Sequence, residues 1–159
     1  MEHIQELEPV LEEVMRVLTP GGRFVFCVPN DRFPQALSVR KFLTKIGLPR
    51  LGRAYSRFFN RIARHAHTDA PEIWKERLTR AGFVLEQSWD YFPPDALRVL
   101  EWGHPLGLPS LFSKKLFGRW ILIPTRWNLA VPWHWTRKFM DNPRSAEGVC
   151  SFFIARRPA

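Results

Sequence analysis

The sequence predicts an α/β fold, a small open sheet interrupted by helical insertions, and three stretches predict it. Val14 to Asn30 reads as the end of an amphipathic helix, a tight turn and an apolar strand. Asp69 to Trp89 repeats that order, and Val149 to Ala155 is a last apolar, β-favouring run. Helix–turn–strand units of this kind build sheets whose ligands bind beyond the carboxyl ends of the strands, here at Pro29-Asn30.

Each element has a local reason. Leu7, Val10, Leu11, Val14, Val17 and Leu18 recur at helical spacing, with Glu6, Glu12, Glu13 and Arg16 opposite, which predicts a helix over about Glu6 to Leu18. Pro9 falls in the first turn, where proline is tolerated. Pro20 cannot continue a helix, and Gly21-Gly22 lets the chain reverse. Phe24 to Val28 is an unbroken apolar run, the pattern of a strand buried on both faces, and Pro29 ends it by removing a ladder donor. Ala36 to Ile46 and Leu51 to Arg64 read as helices separated by Gly47-Leu48-Pro49. Arg53, Arg57, Arg61 and Arg64 step along one face of the second, with Tyr55, Phe58, Phe59 and Ile62 on the other. Asp69 is placed to cap the next helix, with Pro71 in its first turn and Glu72 in capping-box position. Ile73, Trp74, Arg77, Leu78 and Ala81 form its inner face, Gly82 stops it, and Phe83 to Trp89 is a strand.

Composition bounds the rest. A chain of 159 residues with 45% apolar residues can bury a core. Cys27 and Cys150 lie in strand-like runs expected to be buried and reduced; neither metal spacing nor a disulfide framework is suggested, which fits a reducing, cytoplasmic setting. No run reaches the roughly 18 apolar residues of a membrane span. The net charge of +9 is segregated: residues 31–67 and 92–146 together carry +13, and the remaining segments carry −4. That points to a basic working surface facing an anionic partner.

Glu2-His3-Ile4, the helix running into Leu18-Thr19-Pro20-Gly21-Gly22, the strand after it and the Ala81-Gly82-Phe83 turn together resemble class I S-adenosylmethionine-dependent methyltransferases. The resemblance covers 1–30, 68–91 and, in part, 147–159. It implies the last three strands of a Rossmann-like sheet, the final one antiparallel between the other two. It also implies methyl transfer by in-line attack of an acceptor nucleophile on a sulfonium methyl, chemistry that rests on positioning and desolvation. Glu2 and His3 match the family's element at the rim of the cofactor pocket. Yet no Gly-x-Gly occurs, and the family's Gly-rich turn and ribose-binding acid have no counterpart. The expectation is therefore a C-terminal half that does not bind S-adenosylmethionine by itself; the alternative is a short protein using only this half.

The resemblance makes residues 31–67 a substrate-covering lid, cationic enough for a phosphate-bearing or membrane-bound acceptor. A plain solvated basic face is the alternative. Asn30, Tyr55, Arg61, Arg64, His65 and His67 are the substrate-pocket candidates. His65-Ala66-His67 lacks accompanying Cys, Asp or Glu ligands, so no metal is expected. None of these residues can be assigned as a general base from sequence.

Residues 92–146 hold half of the 14 prolines and five of the seven tryptophans, interleaved with Lys and Arg. Leu111-Phe112 and Leu116-Phe117 flank Lys114-Lys115, and Trp120-Ile121-Leu122-Ile123 follows. Three readings fit: the core of a helical insertion, a membrane–water interface, or a nucleic-acid stacking surface. The Leu, Ile and Phe runs suit lipid better than bases, and Lys114, Lys115, Arg119, Trp120, Trp133 and Trp135 are the membrane-surface candidates. The functional expectation is a methyltransferase part acting on an anionic or lipid-linked acceptor. The rival is a non-catalytic basic aromatic module that docks on a membrane or a partner protein.

Overall fold

A computed structural model describes residues 1–121, 125–139 and 144–159; Leu122 and Ile123 lie outside them. The fold is mixed α/β. Helix α1 (Glu8–Val17) leads through Gly21, whose φ of 77° suits glycine alone, into β1 (Arg23–Pro29). Three helices follow: α2 (Arg32–Ala36), α3 (Ser38–Lys45) and α4 (Pro49–Ile62). Then come α5 (Pro71–Arg80), β2 (Val84–Tyr91), α6 (Pro94–Leu106), α7 (Leu108–Phe117), α8 (Trp127–Thr136) and β3 (Cys150–Arg156).

The three strands form one sheet in the order β1-β3-β2. β3 is antiparallel to both neighbours, so β1 and β2 run parallel with β3 between them, as the resemblance implied. Phe26 faces Phe153, and Cys27 faces Phe152 two residues from Cys150 on the adjacent strand. A bulge between Leu85 and Gln87 turns Glu86 out, and its carboxylate reaches Arg23 at 2.7 Å and Arg156 at 3.1 Å. Gly148 packs so close to β2 that a Cβ there would lie 2.5 Å from the Tyr91 carbonyl oxygen.

Both α1 and α5 lie on one face of the sheet. Leu7, Leu11, Trp74 and Leu78 bury against Val28, Phe83, Phe153 and Ala155, with Phe24 and Phe26 packed alongside. The opposite face lacks such a cover among the described residues: Val25 is 50% exposed and the Cys27 thiol is exposed. This corrects two expectations, that β1 is buried on both faces and that both cysteines are buried. The residues were read as a continuous apolar run, but strand geometry sends alternate side chains to opposite faces, and one face is left open. Both cysteines are free, and Cys150 is half-buried.

A second core of Phe33, Leu37, Phe59, Leu97 and Val149 sits past the carboxyl end of β1 and joins α2, α4 and α6. A buried carboxylate locks this junction. Glu101 of α6 accepts hydrogen bonds from the Ser38 N–H at 2.7 Å and the Val39 N–H at 3.3 Å, the first turn of α3. Anions are favoured at helix amino ends, where N–H groups lack internal partners. Trp102 Nε1–H donates to Ser38 Oγ at 3.0 Å beside it.

Three local expectations fail for identifiable reasons. Asp69 does not cap α5, because it pairs with the Arg77 guanidinium, and Ala70 takes the cap position. Ile73 is exposed while Trp74 and Leu78 point in. On α4 only Gly52, Ser56 and Phe59 are buried, and Phe58 and Ile62 are exposed. Among the described residues no helix is long and apolar enough to cross a membrane.

Candidate functional site

The N-terminal segment and the α4–α5 connection meet beyond the carboxyl end of β1. The Glu2 carbonyl accepts from the Ala66 N–H at 2.7 Å and the His67 N–H at 3.2 Å, fastening the two segments. His3 Nδ1–H donates to the Arg64 carbonyl at 2.9 Å, and its Nε2 lies 3.3 Å from Glu2 Oε1. Arg64 adopts a φ of 58°, which turns its carbonyl toward His3. The His3 and His65 rings stack with centroids 5.9 Å apart, and Phe33 closes on His65 edge-on at 5.1 Å.

The electrostatics of this cluster follow from partial burial. Burial raises the Glu2 carboxyl, but its own backbone N–H, the Met1 amino group and His3 outweigh that and hold it below the usual carboxylate range. Burial lowers the His65 imidazole; Glu2 opposes the shift and His3 adds to it. Burial first, then the neighbouring Cys27 and Cys150 sulfurs, push the Tyr91 phenol well above its ordinary range. Burial, with Cys27 and Glu2 behind it, pushes the Cys150 thiol up to about 12, so this sulfur stays protonated and is no nucleophile near neutrality.

The structure therefore brings Glu2, His3 and His65 together, with Cys27, Tyr91 and Cys150 beside them. Those last three were missed as site residues. Two-residue alternation along β1 would have put Cys27 on the open face with Val25. His67 lies next to the cluster as a strut, its Nε2–H donating to the Gln5 carbonyl at 3.1 Å and its Nδ1 3.3 Å from Asp69. Asn30 does not open into the crevice. It is fully buried; its amide donates to the Gly148 carbonyl at 3.0 Å and Ser151 Oγ at 3.1 Å, and its Oδ1 accepts from the Arg32 N–H. From Asn30 a polar chain continues through Ser151 to Asp90 at 2.6 Å and on to Arg32 at 2.9 Å.

Tyr55 points elsewhere. Burial, then the nearby Glu101 carboxylate, raise the phenol, so Tyr55 lies beside the α3–α6 lock. Arg61 and Arg64 are exposed. Lys114, Lys115, Arg119, Trp120, Trp133 and Trp135 are exposed residues of the α6–α8 unit. Trp102, Trp120, Trp127, Trp133 and Trp135 are 44–86% exposed, which removes the reading of these tryptophans as an insertion core. Among the described residues, no three His, Cys, Asp or Glu side chains come together as a metal ion would require.

What the cluster offers chemically is a polar, partly dry rim at the end of a sheet, suited to positioning a ligand. At this rim the Glu2 carboxylate is engaged by the Met1 amino group at 3.4 Å and by His3 Nε2 at 3.3 Å.

No protein-family model matches the chain, and no curated protein matches it. Among solved structures it is similar to a crystal structure described as a candidate methyltransferase from Bacillus halodurans C-125. The two share 18% sequence identity and a TM-score of 0.44, over 99% of this chain and 61% of that one. The chain thus spans about three-fifths of the length of that solved structure.

Proposed function

We propose that this chain is the acceptor-side part of an S-adenosylmethionine-dependent methyltransferase, completed by further strands along β1. The observation that carries the reading is the sheet. β3 lies antiparallel between parallel strands, β1 pairs on one side only, and its Val25–Cys27 face is uncovered among the described residues. A sheet that continues past β1 needs that free edge, and a second packing layer needs that open face. The added strands would bring the glycine turn and ribose-binding acid that this sequence lacks, opposite the Glu2–His3–His65 rim. The acceptor would be anionic or lipid-linked, received near the α3–α4 hairpin, where Arg53, Arg57 and Arg61 are exposed.

Calorimetry tests the reading. This chain alone should give no micromolar binding of S-adenosylmethionine. The protein translated from the frame running upstream of the Met1 codon should carry a strand followed by a Gly-rich turn and should bind at micromolar concentration. Micromolar binding by this chain alone, or none by the extended protein, would overturn it. A stop codon and ribosome-binding site directly upstream would instead favour a non-catalytic docking module, a reading supported by the exposed aromatic surface of α7 and α8.

A further inference from the structure

Helices α6, α7 and α8 border an open cleft of about 1200 Å³ with mainly apolar walls. Val99, Leu100 and Gly103 line it from α6, Leu111 from α7, and Trp120 and Trp135 from the far side. The same helices hold large apolar side chains in solvent: Phe112 is 65% exposed, Leu116 73%, Phe117 63% and Trp127 86%. An apolar surface of this extent on a soluble protein marks a binding face.

Charge identifies the occupant. Lys114, Lys115, Arg119, Arg126, Arg137 and Lys138 are all exposed on the same unit, and residues 92–146 carry eight basic side chains against three acidic ones. A second copy would set like charge against like charge. An anionic amphiphile answers both features, with its hydrocarbon in the cleft and its head group among the cations. Tryptophan, leucine and phenylalanine beside lysine and arginine are also the side chains that settle at a bilayer–water boundary.

We propose that the cleft between α6, α7 and α8 takes the hydrocarbon chain of an anionic lipid at a bilayer surface on which α7 and α8 lie. This goes beyond methyl transfer and does not depend on it.

Gly103 gives a specific test. A Cβ built there meets nothing within 4 Å, so Gly103→Phe projects a ring into the cleft without a backbone clash. The whole chain is sedimented with vesicles of phosphatidylglycerol or phosphatidylcholine, at low salt and at about 0.5 M salt, where charge attraction is screened within a few ångströms. Binding should be strong to phosphatidylglycerol, weak to phosphatidylcholine and only partly reversed by salt. Acyl chains brominated near their middle should quench the tryptophans. Gly103→Phe, with an unchanged circular dichroism spectrum, should lose the salt-resistant binding and the quenching while keeping low-salt attachment. Lys114→Glu with Lys115→Glu should lower low-salt binding by more than about tenfold, since each cation near an anionic surface adds roughly fivefold and two are lost and reversed. Equal, weak sedimentation with both lipids would overturn the proposal, as would salt-resistant binding and quenching untouched by Gly103→Phe. Dimers in sedimentation equilibrium that Gly103→Phe abolishes, without lipid binding, would assign the cleft to a second copy instead.

Discussion

His65 shows how one side chain reports on the crevice. It is half-buried against Phe33 and His3, and burial lowers its imidazole from 6.5. A depressed histidine binds fewer protons folded than unfolded, so its contribution to stability is complete above about pH 6.5 and declines as the pH falls toward the folded value. Urea melts from pH 7.5 to 5 should show stability falling on the acid side, and His65→Gln should flatten that fall. An unchanged slope in the variant would place the titration elsewhere. Trp74 makes a different point. It is fully buried, and its Nε1–H has no hydrogen-bond partner among the described residues. The ring is there for its area, packed on Phe26 and Phe153 and covered by the Arg77 guanidinium at 5.2 Å.

At the scale of elements, Glu101 is the joint between the α3–α4 hairpin and α6. It carries the first turn of α3, with Tyr55 of α4 close by. Glu101→Ala leaves two N–H groups without their acceptor, which costs about 2–4 kcal/mol by the measure of buried hydrogen bonds to charge. The α3–α4 hairpin should then become the first site of limited proteolysis, while the sheet stays protected; cleavage unchanged from the parent would show that the joint lies elsewhere. Arg157 does comparable service for α1, its guanidinium reaching the carbonyls of Met15 at 2.9 Å, Arg16 at 3.0 Å and Leu18. Little of this was legible beforehand. The helix–turn–strand units could be read because proline, paired glycines and helical spacing act locally. The Glu101 and Arg157 contacts bridge 63 and up to 142 residues, and no local pattern announces them. Glu2 and His3 were named from the Glu-His motif and His65 from its place before the next helix; Tyr91 and Cys27 lie near them only because of strand register, which the continuous apolar run of β1 concealed.

The whole molecule divides by how well its apolar surface is hidden. The sheet, α1 and α5 share one well-packed core, and β3 is bonded on both edges. Helices α7 and α8 leave Leu116, Phe117, Trp127 and Trp133 in solvent. Stability should therefore be uneven, because protection tracks buried contacts. Hydrogen exchange should find the amides of β3 slowest, opening only with global unfolding, and those of α7 and α8 among the fastest. Anionic vesicles should slow exchange in α7 and α8 and leave β3 unchanged. Uniform protection along the chain would contradict this division.

Among the described residues no strand pairs with the outer edge of β1, and that edge carries a cost in solution that the protein must meet. Arg23, Val25 and Cys27 alternate with the residues bonded to β3, so their N–H and C=O groups face outward along a strand reading Phe-Val-Phe-Cys-Val. The usual defences of a sheet edge are thin here: Pro29 stands only at the far end, and Arg23 is drawn aside by Glu86. Such an edge is a template for any extended segment, including its own kind in another molecule, and the β-favouring run beside it is what fibrous assemblies grow from. Unless a strand occupies that edge, the limit on this chain is set by crowding: the concentration at which one β1 finds another.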